Sequence, residues 1–259
     1  MKISAICAVV ALLLSSVLLV SRSAASKRKT TSLSAGPGFA VLELFTSEGC
    51  SSCPPADELV ARIQKEAGDK PIYILAFHVD YWNRLGWKDV FSQPEFSKRQ
   101  YQYHRLFTSQ VYTPQLIMNG SSEFVGSDEN EIRAALQQNL SGTQSTVLNI
   151  KVTPQNSTLK LDYEAKGKSD GNQLLIALVQ KHAVNKVNAG ENEGRVLSHV
   201  QIVRSLQTFQ LNQKGTHDLQ LPAGFNPNDW EVIGLIQNTD TGIITAAARA
   251  SLTPSTTVL

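Results

Sequence analysis

Cysteine is scarce in this chain of 259 residues: there are three, at positions 7, 50 and 53. Charge of one sign is missing too, with 24 Lys and Arg against 22 Asp and Glu, a formal net charge of +2. A balance this even leaves no electrostatic footprint for nucleic acid. No Gly-rich phosphate loop and no nucleotide fingerprint occur, so no cofactor is implied. No Ser-His-Asp arrangement stands out, and no internal repeat is visible. What remains is ordinary globular composition, 42% hydrophobic and 18% charged, which speaks against a disordered or fibrous protein. The length suits two modest domains or one large one.

The first segment, "MKISAICAVVALLLSSVLLVSRSAAS", has Lys2, an apolar run over residues 3–20 and a small-residue end in which Ser23 and Ala25 fit a processing site. Two readings are open. One is an export signal occupying residues 1–25, which places the body in the periplasm or outside the cell. The other is an uncleaved membrane anchor, since the run is long enough to span. Arg22, Lys27, Arg28 and Lys29 would then hold the body on the cytoplasmic side. The Ser/Ala-rich end favours export. Cleavage would remove Lys2, Arg22 and Cys7, leaving 22 basic against 22 acidic residues and a single pair of cysteines. A pair with no spare thiol suits an oxidising compartment. Residues 26–37 read as a linker.

Beyond it, "FAVLELF" (39–45) and "PIYILAFHV" (71–79) are apolar runs fit for buried strands. Between them Leu59, Val60, Ile63 and Ala67 share one helical face. A second helix is expected after Ser92 as cap, with Phe96, Tyr103, Leu106 and Phe107 on one side. "TPQLIMNGSSEFVG" (113–126) reads as two short strands about a turn, and "SDENEIRAALQQNL" as a helix capped by Asp128 with Glu131 three residues on. The order over residues 38–140 is therefore βαβαββα. After "SGTQS" (141–145) helical periodicity stops. Alternating stretches at 146–153, 157–164, 173–181, 199–210, 230–238 and 243–250 predict a second domain, residues 145–253, built as an all-β sandwich.

Chemistry concentrates in "EGCSSCPPAD" (48–57). Cys50 falls at a strand–helix corner, where unpaired N–H groups stabilise a thiolate. Cys53 is one turn on, close enough to resolve a mixed disulfide. Three readings compete: a redox couple, half of a metal site, and a structural staple. The staple is weak, because so small a loop removes little entropy from the unfolded chain. A metal site would add His78 and Asp80 to the two sulfurs, with copper or zinc as the fitting ions. For the redox couple, Cys50 is expected to be the exposed, attacking thiol and Cys53 the buried one.

With its element order, its Cys-x-x-Cys after the first strand and "VYTPQLIMNG" (111–120), the segment 38–140 resembles the thioredoxin superfamily. That resemblance implies thiol–disulfide oxidoreductase activity through Cys50 and Cys53, the alternatives being a copper- or zinc-binding chaperone of the same fold and a non-catalytic interaction module. It also implies a cis-proline at Pro114, preceded by Thr113, against the disulfide. Two positions depart from the pattern. Leu44 stands where thioredoxin buries an aspartate, and alternation turns Glu43 to the opposite face. Gly49 stands where thioredoxin has tryptophan. More narrowly, "LFTSEGCSSCPPAD", "AFHVDYWNRLGWKD", "VYTPQLIMNG" and "ENEGRVLSHVQIVR" resemble a bacterial family of secreted thioredoxin-like proteins with a domain of unknown function.

Partners implied by this chemistry are the thiols or disulfides of proteins or small molecules, with a membrane involved only if residues 1–25 stay attached. Tyr81, Trp82 and Trp87 lie in a loop expected to leave the sheet at the same end as Cys50. They are candidates for an apolar shelf under a substrate, or for packing beneath their own loop. His199 and Arg204, in a strand-like run, either buttress the site or are ordinary sheet residues.

Overall fold

The run "AVLELFT" forms strand β2 (Ala40–Thr46), buried along its whole length. In the computed structural model, which describes residues 36–155 and 157–252, this strand lies inside one large sheet. The segment 1–25, read as signal or anchor, lies outside the described residues, as does most of the linker 26–37. Among the described residues no helix is long and apolar enough to cross a membrane.

The chain is mixed α/β and rich in strand. After the two-residue strand β1 (Gly36–Pro37) come β2, α1 (Pro54–Ala67), β3 (Ile72–His78), a 3-10 turn (Asn83–Leu85) and α2 (Pro94–Phe107). Strands β4 (Gln115–Met118) and β5 (Ser122–Val125), helix α3 (Glu129–Ser141) and the short β6 (Thr143–Gln144) follow. The remainder is strand: β7 (Val147–Pro154), β8 (Thr158–Lys166), β9 (Asn172–Lys186), β10 (Val196–Gln210), β11 (Lys214–Gln220), β12 (Trp230–Asn238) and β13 (Ile244–Ser251).

Eight strands make the main sheet in the order β13-β12-β9-β10-β3-β2-β4-β5. Strands β2 and β3 run parallel, as a helical crossover requires, in a register from Ala40–Ile72 to Thr46–His78. The sheet does not stop at residue 145. β10 lies parallel to β3 through Ile202 and Ala76, and β9, β12 and β13 extend the sheet by antiparallel pairing. The segments 38–140 and 145–253 therefore share one sheet. Over its C-terminal half sits a second, three-stranded layer, β11-β8-β7. Leu148, Leu159, Leu161 and Leu219 of that layer pack on Leu174, Ile176, Trp230 and Val232 of the main sheet.

Strand alternation sorts the rest of the core. Leu42 and Leu44 face α1 and α3, joining Leu59, Val60, Ile63, Ile132 and Leu136. Fully burying each such side chain stabilises the fold by about 1.5–3 kcal/mol. Val41 and Phe45 point the other way, to Phe96 and Tyr103 of α2. Glu43 lies on that second face. Its carboxylate accepts from Arg99 and Tyr103, and Gln237 of β12 donates to Tyr103, so a buried polar network ties β2, α2 and β12 together.

The helix starts follow from local chemistry. Pro54 and Pro55 open α1, where first-turn N–H groups need no helical partner. Asp128 caps α3 by accepting the Glu131 N–H. For α2 the cap is Gln93, not Ser92; Ser92 instead donates its hydroxyl to the Asp89 carbonyl and steadies the preceding loop.

Candidate functional site

Leaving β2 at Thr46, the chain turns tightly through residues 47–49 into the cysteine motif. The Gly49 N–H is held by the Ser47 hydroxyl and the Cys50 N–H by the Ser47 carbonyl. Cys53 is the N-cap of α1 and has no side-chain capping bond. The two sulfurs stand at disulfide distance, with Cα atoms 5.4 Å apart. Thr113–Pro114 is a cis peptide, and Cys50 Sγ lies 3.8 Å from the Thr113 carbonyl oxygen. The Ser52 hydroxyl donates to that same carbonyl at 3.4 Å. Gly126 makes this close approach possible. Its N–H donates to the Pro114 carbonyl, and a Cβ there would fall 2.9 Å from both Leu44 Cδ1 and Pro114 Cβ.

Cys50 is not exposed. Both cysteines are 0% accessible, while Ser51 and Ser52 between them face solvent. The loop joining β9 to β10 grips the backbone of the motif, a contact that no motif signals. Asn192, itself 1% exposed, donates its side-chain amide to the carbonyls of Glu48 and Cys50, each at 2.9 Å. Glu191 accepts the Ser51 N–H at 3.1 Å.

The aromatic loop closes the other flank by anchoring itself. Trp82 donates its indole N–H to the Thr113 hydroxyl at 2.8 Å, and its Cβ would lie 3.2 Å from any Cβ at position 49, so Gly49 makes room for it. Trp87 donates to the Glu48 carboxylate at 2.8 Å. Tyr81 donates to Gln100 instead, and burial pushes its hydroxyl pKa up to about 12. All three aromatics are half-buried.

Behind the motif lies a cluster of buried ionisable groups that the motif alone does not announce. His78 Nδ1 is 2.7 Å from Asp89 Oδ2, and that carboxylate also accepts the Glu48 and Phe91 N–H groups. Burial works to raise the Asp89 pKa, but His78 and these donors outweigh it and hold the group below the ordinary carboxylate range. His199, 1% exposed, reaches in from β10: Nε2 is 3.3 Å from Glu48 Oε1 and Nδ1 3.6 Å from Asp57 Oδ2. Burial alone would lower its pKa, yet Asp57 and Glu48 raise it to about 10. The rings of His78 and His199 meet edge-on at 4.8 Å.

Thr113, Pro114 and Trp82 are thus brought to Cys50, and Trp87 reaches the motif through Glu48. Asp80 does not join His78; it accepts from the Ser97 hydroxyl. Among the described residues no three His, Cys, Asp or Glu side chains are placed to hold a metal ion. Arg204 lies over the Phe91 and Trp230 rings and donates to Gln180, away from the cysteines. Glu48, Asp57, Asp89 and Asn192 went unmarked in the sequence. Asp57 alone carried a signal, a carboxylate within the apolar stripe of α1 between Ala56 and Val60. A large cleft of about 870 Å³ lies elsewhere, bordered by Phe124, Gln138 and Asn139, and neither cysteine lines it.

The chain is thus a strand-rich α/β protein with an enclosed Cys-x-x-Cys pair at the junction of strand and helix. It belongs to the DUF1223 family, described as a protein of unknown function, whose model matches residues 41–237. It is similar to an Agrobacterium tumefaciens protein solved by X-ray crystallography as a structural-genomics target. The two are 27% identical, with a TM-score of 0.64 over 83% of this chain and 95% of that one. A DUF3823 family protein from Bacteroides ovatus is 9% identical, with a TM-score of 0.28 over 43% of this chain and 58% of that one. A domain of the outer membrane lipoprotein Omp28 from Porphyromonas gingivalis is 10% identical, with a TM-score of 0.24 over 40% and 84%. Both superpose too loosely to indicate a shared fold. No curated protein matches the chain.

Proposed function

We propose that the protein is an exported thiol–disulfide oxidoreductase, thioredoxin-like over residues 38–140, acting through Cys50 and Cys53 on protein or small-molecule thiols and disulfides. One observation carries this reading. The two sulfurs stand at disulfide distance at the start of α1, with Cys50 Sγ 3.8 Å from the carbonyl that precedes cis-Pro114. A substrate thiolate attacks the Cys50 sulfur, the Cys50–Cys53 bond breaks, and Cys53 leaves as a thiolate. A second substrate thiolate then attacks the substrate sulfur of the mixed disulfide and releases Cys50. Two electrons pass from substrate to protein. Run backwards, Cys50 attacks a substrate disulfide and Cys53 resolves it. The helix start itself offers a Cys50 thiolate no free donor, because Pro54 and Pro55 carry no N–H and the Ala56 and Asp57 N–H groups donate to the Cys53 carbonyl. Since both sulfurs are buried, exchange in either direction requires a covering segment to give way, and the 187–195 loop, which holds the Glu48 and Cys50 carbonyls, is the segment we propose.

Partner trapping in the exporting cell tests the proposal. Cys53→Ser accumulates a mixed disulfide through Cys50, and Cys50→Ser does not. If neither variant traps a partner, the oxidoreductase reading is withdrawn.

A further inference from the structure

We propose that His199 is the positioning residue of the cysteine pair, acting through Glu48 and Asp57, the two buried carboxylates that bracket the motif, to set the charge against which a thiolate forms. The inference deepens the oxidoreductase reading and rests on it. His199 comes from β10, in the C-terminal half of the chain, yet it meets residues on both sides of the cysteines: Glu48 in the turn after β2 and Asp57 in the first turn of α1. A histidine buried only for packing bonds a ring nitrogen to backbone or hydroxyl. Here neither ring nitrogen has a hydrogen bond of good geometry, and a carboxylate oxygen lies 3.3 Å from Nε2 and 3.6 Å from Nδ1. The contact is one of charge.

The remaining groups facing it are His78 of β3, edge-on, with Asp89 behind it, and the uncharged ring of Phe91. Glu48 is fixed on every side. Trp87 and Asn185 donate to its carboxylate, Asp89 accepts its N–H, and Asn192 donates to its carbonyl. It therefore cannot swing away if its counter-charge is lost. Two buried carboxylates flanking a Cys-x-x-Cys pair oppose a new negative charge on sulfur. An imidazolium between them offsets that opposition. The raised pKa of His199 keeps it cationic through neutral pH.

The readout is the pH profile of alkylation of the reduced cysteines, together with the reduction potential in glutathione buffers. In His199→Gln the alkylation midpoint moves up, so that the thiolate fraction at pH 6 falls about tenfold for each pH unit of displacement. The potential becomes more negative, because the reduced form has lost stability. Asp57→Asn moves both in the opposite direction, and it decides the matter alone if His199→Gln does not fold. Profiles and potentials that superpose on the wild type in every folded variant overturn the proposal, even where thermal stability falls. The two readings fail separately. Trapped partners with superposing profiles sink this inference only. Displaced profiles with no trapped partner sink the oxidoreductase reading and leave His199 as a modulator of thiol acidity.

Discussion

Asn192→Ala should accelerate reduction of the Cys50–Cys53 pair. The amide of Asn192 donates to two carbonyls of the motif segment, Glu48 and Cys50, both at 2.9 Å, and is almost fully enclosed. A buried hydrogen bond contributes about 0.5–1.5 kcal/mol net, so losing two weakens closure of the 187–195 loop by about 1–3 kcal/mol. On the proposed role of this loop, its opening precedes attack by a thiol. At about 1.4 kcal/mol per tenfold, the open population and the reduction rate rise about 5-fold to 150-fold. The assay follows thiol appearance under excess phosphine reductant at pH 7, quenched by alkylation and read by mass. Glu191→Gln is the control. Its contact with the Ser51 N–H is exposed, so its rate should stay within about twofold of wild type. An unchanged rate in Asn192→Ala, with the protein still folding cooperatively, refutes the idea that this loop limits access.

Removing the charge of Glu43 should be severe. Glu43→Gln leaves the buried Arg99 guanidinium without its counter-ion and should cost about 3–5 kcal/mol, read from the urea midpoint; a loss under about 1 kcal/mol would show that the network contributes little. Stability should also fall in alkali because of His199. Its folded pKa is raised to about 10, so its contribution is complete below its unfolded value near about 6.5 and is lost as pH climbs through about 10. Thermal melts from pH 6 to pH 10 check this, and the slope should flatten in His199→Gln. At Gly120, where φ is +63°, a Cβ would sit 1.9 Å from the Gly242 carbonyl oxygen, whereas at Gly68 it meets nothing within 4 Å. Gly120→Ala should therefore destabilise far more than Gly68→Ala, compared by chemical denaturation.

Much of the local structure was legible because it is coded by neighbours in the chain. The stripe of Leu59, Val60 and Ile63 marks α1, Asp128 with Glu131 marks the start of α3, and alternation correctly sends Leu44 and Glu43 to opposite faces of β2. Where side chains do not alternate between core and solvent, the signal fades. Strand β11 carries no alternating signal because, of "KGTHDLQ", Leu219 alone is buried. The extension of β9 past Lys181 has no apolar inner face to mark it, because that face meets a polar site, with Asn185 on Glu48, in place of an apolar core.

By itself, then, the sequence determined the cysteine pair and the helix that starts on it, since each depends on residues a few positions apart, whereas the proline that faces the pair followed only from the resemblance to thioredoxin. Only the tertiary structure decided that the sheet continues from β3 into β10, a pairing of residues 76 and 202 that no local pattern encodes. That one pairing carries His199 to Glu48 and Asp57 and brings Asn192 over Cys50. Burial and charge at the cysteines are thus set by a strand far along the chain, because hydrogen-bonded strands fix the position of every side chain they bear.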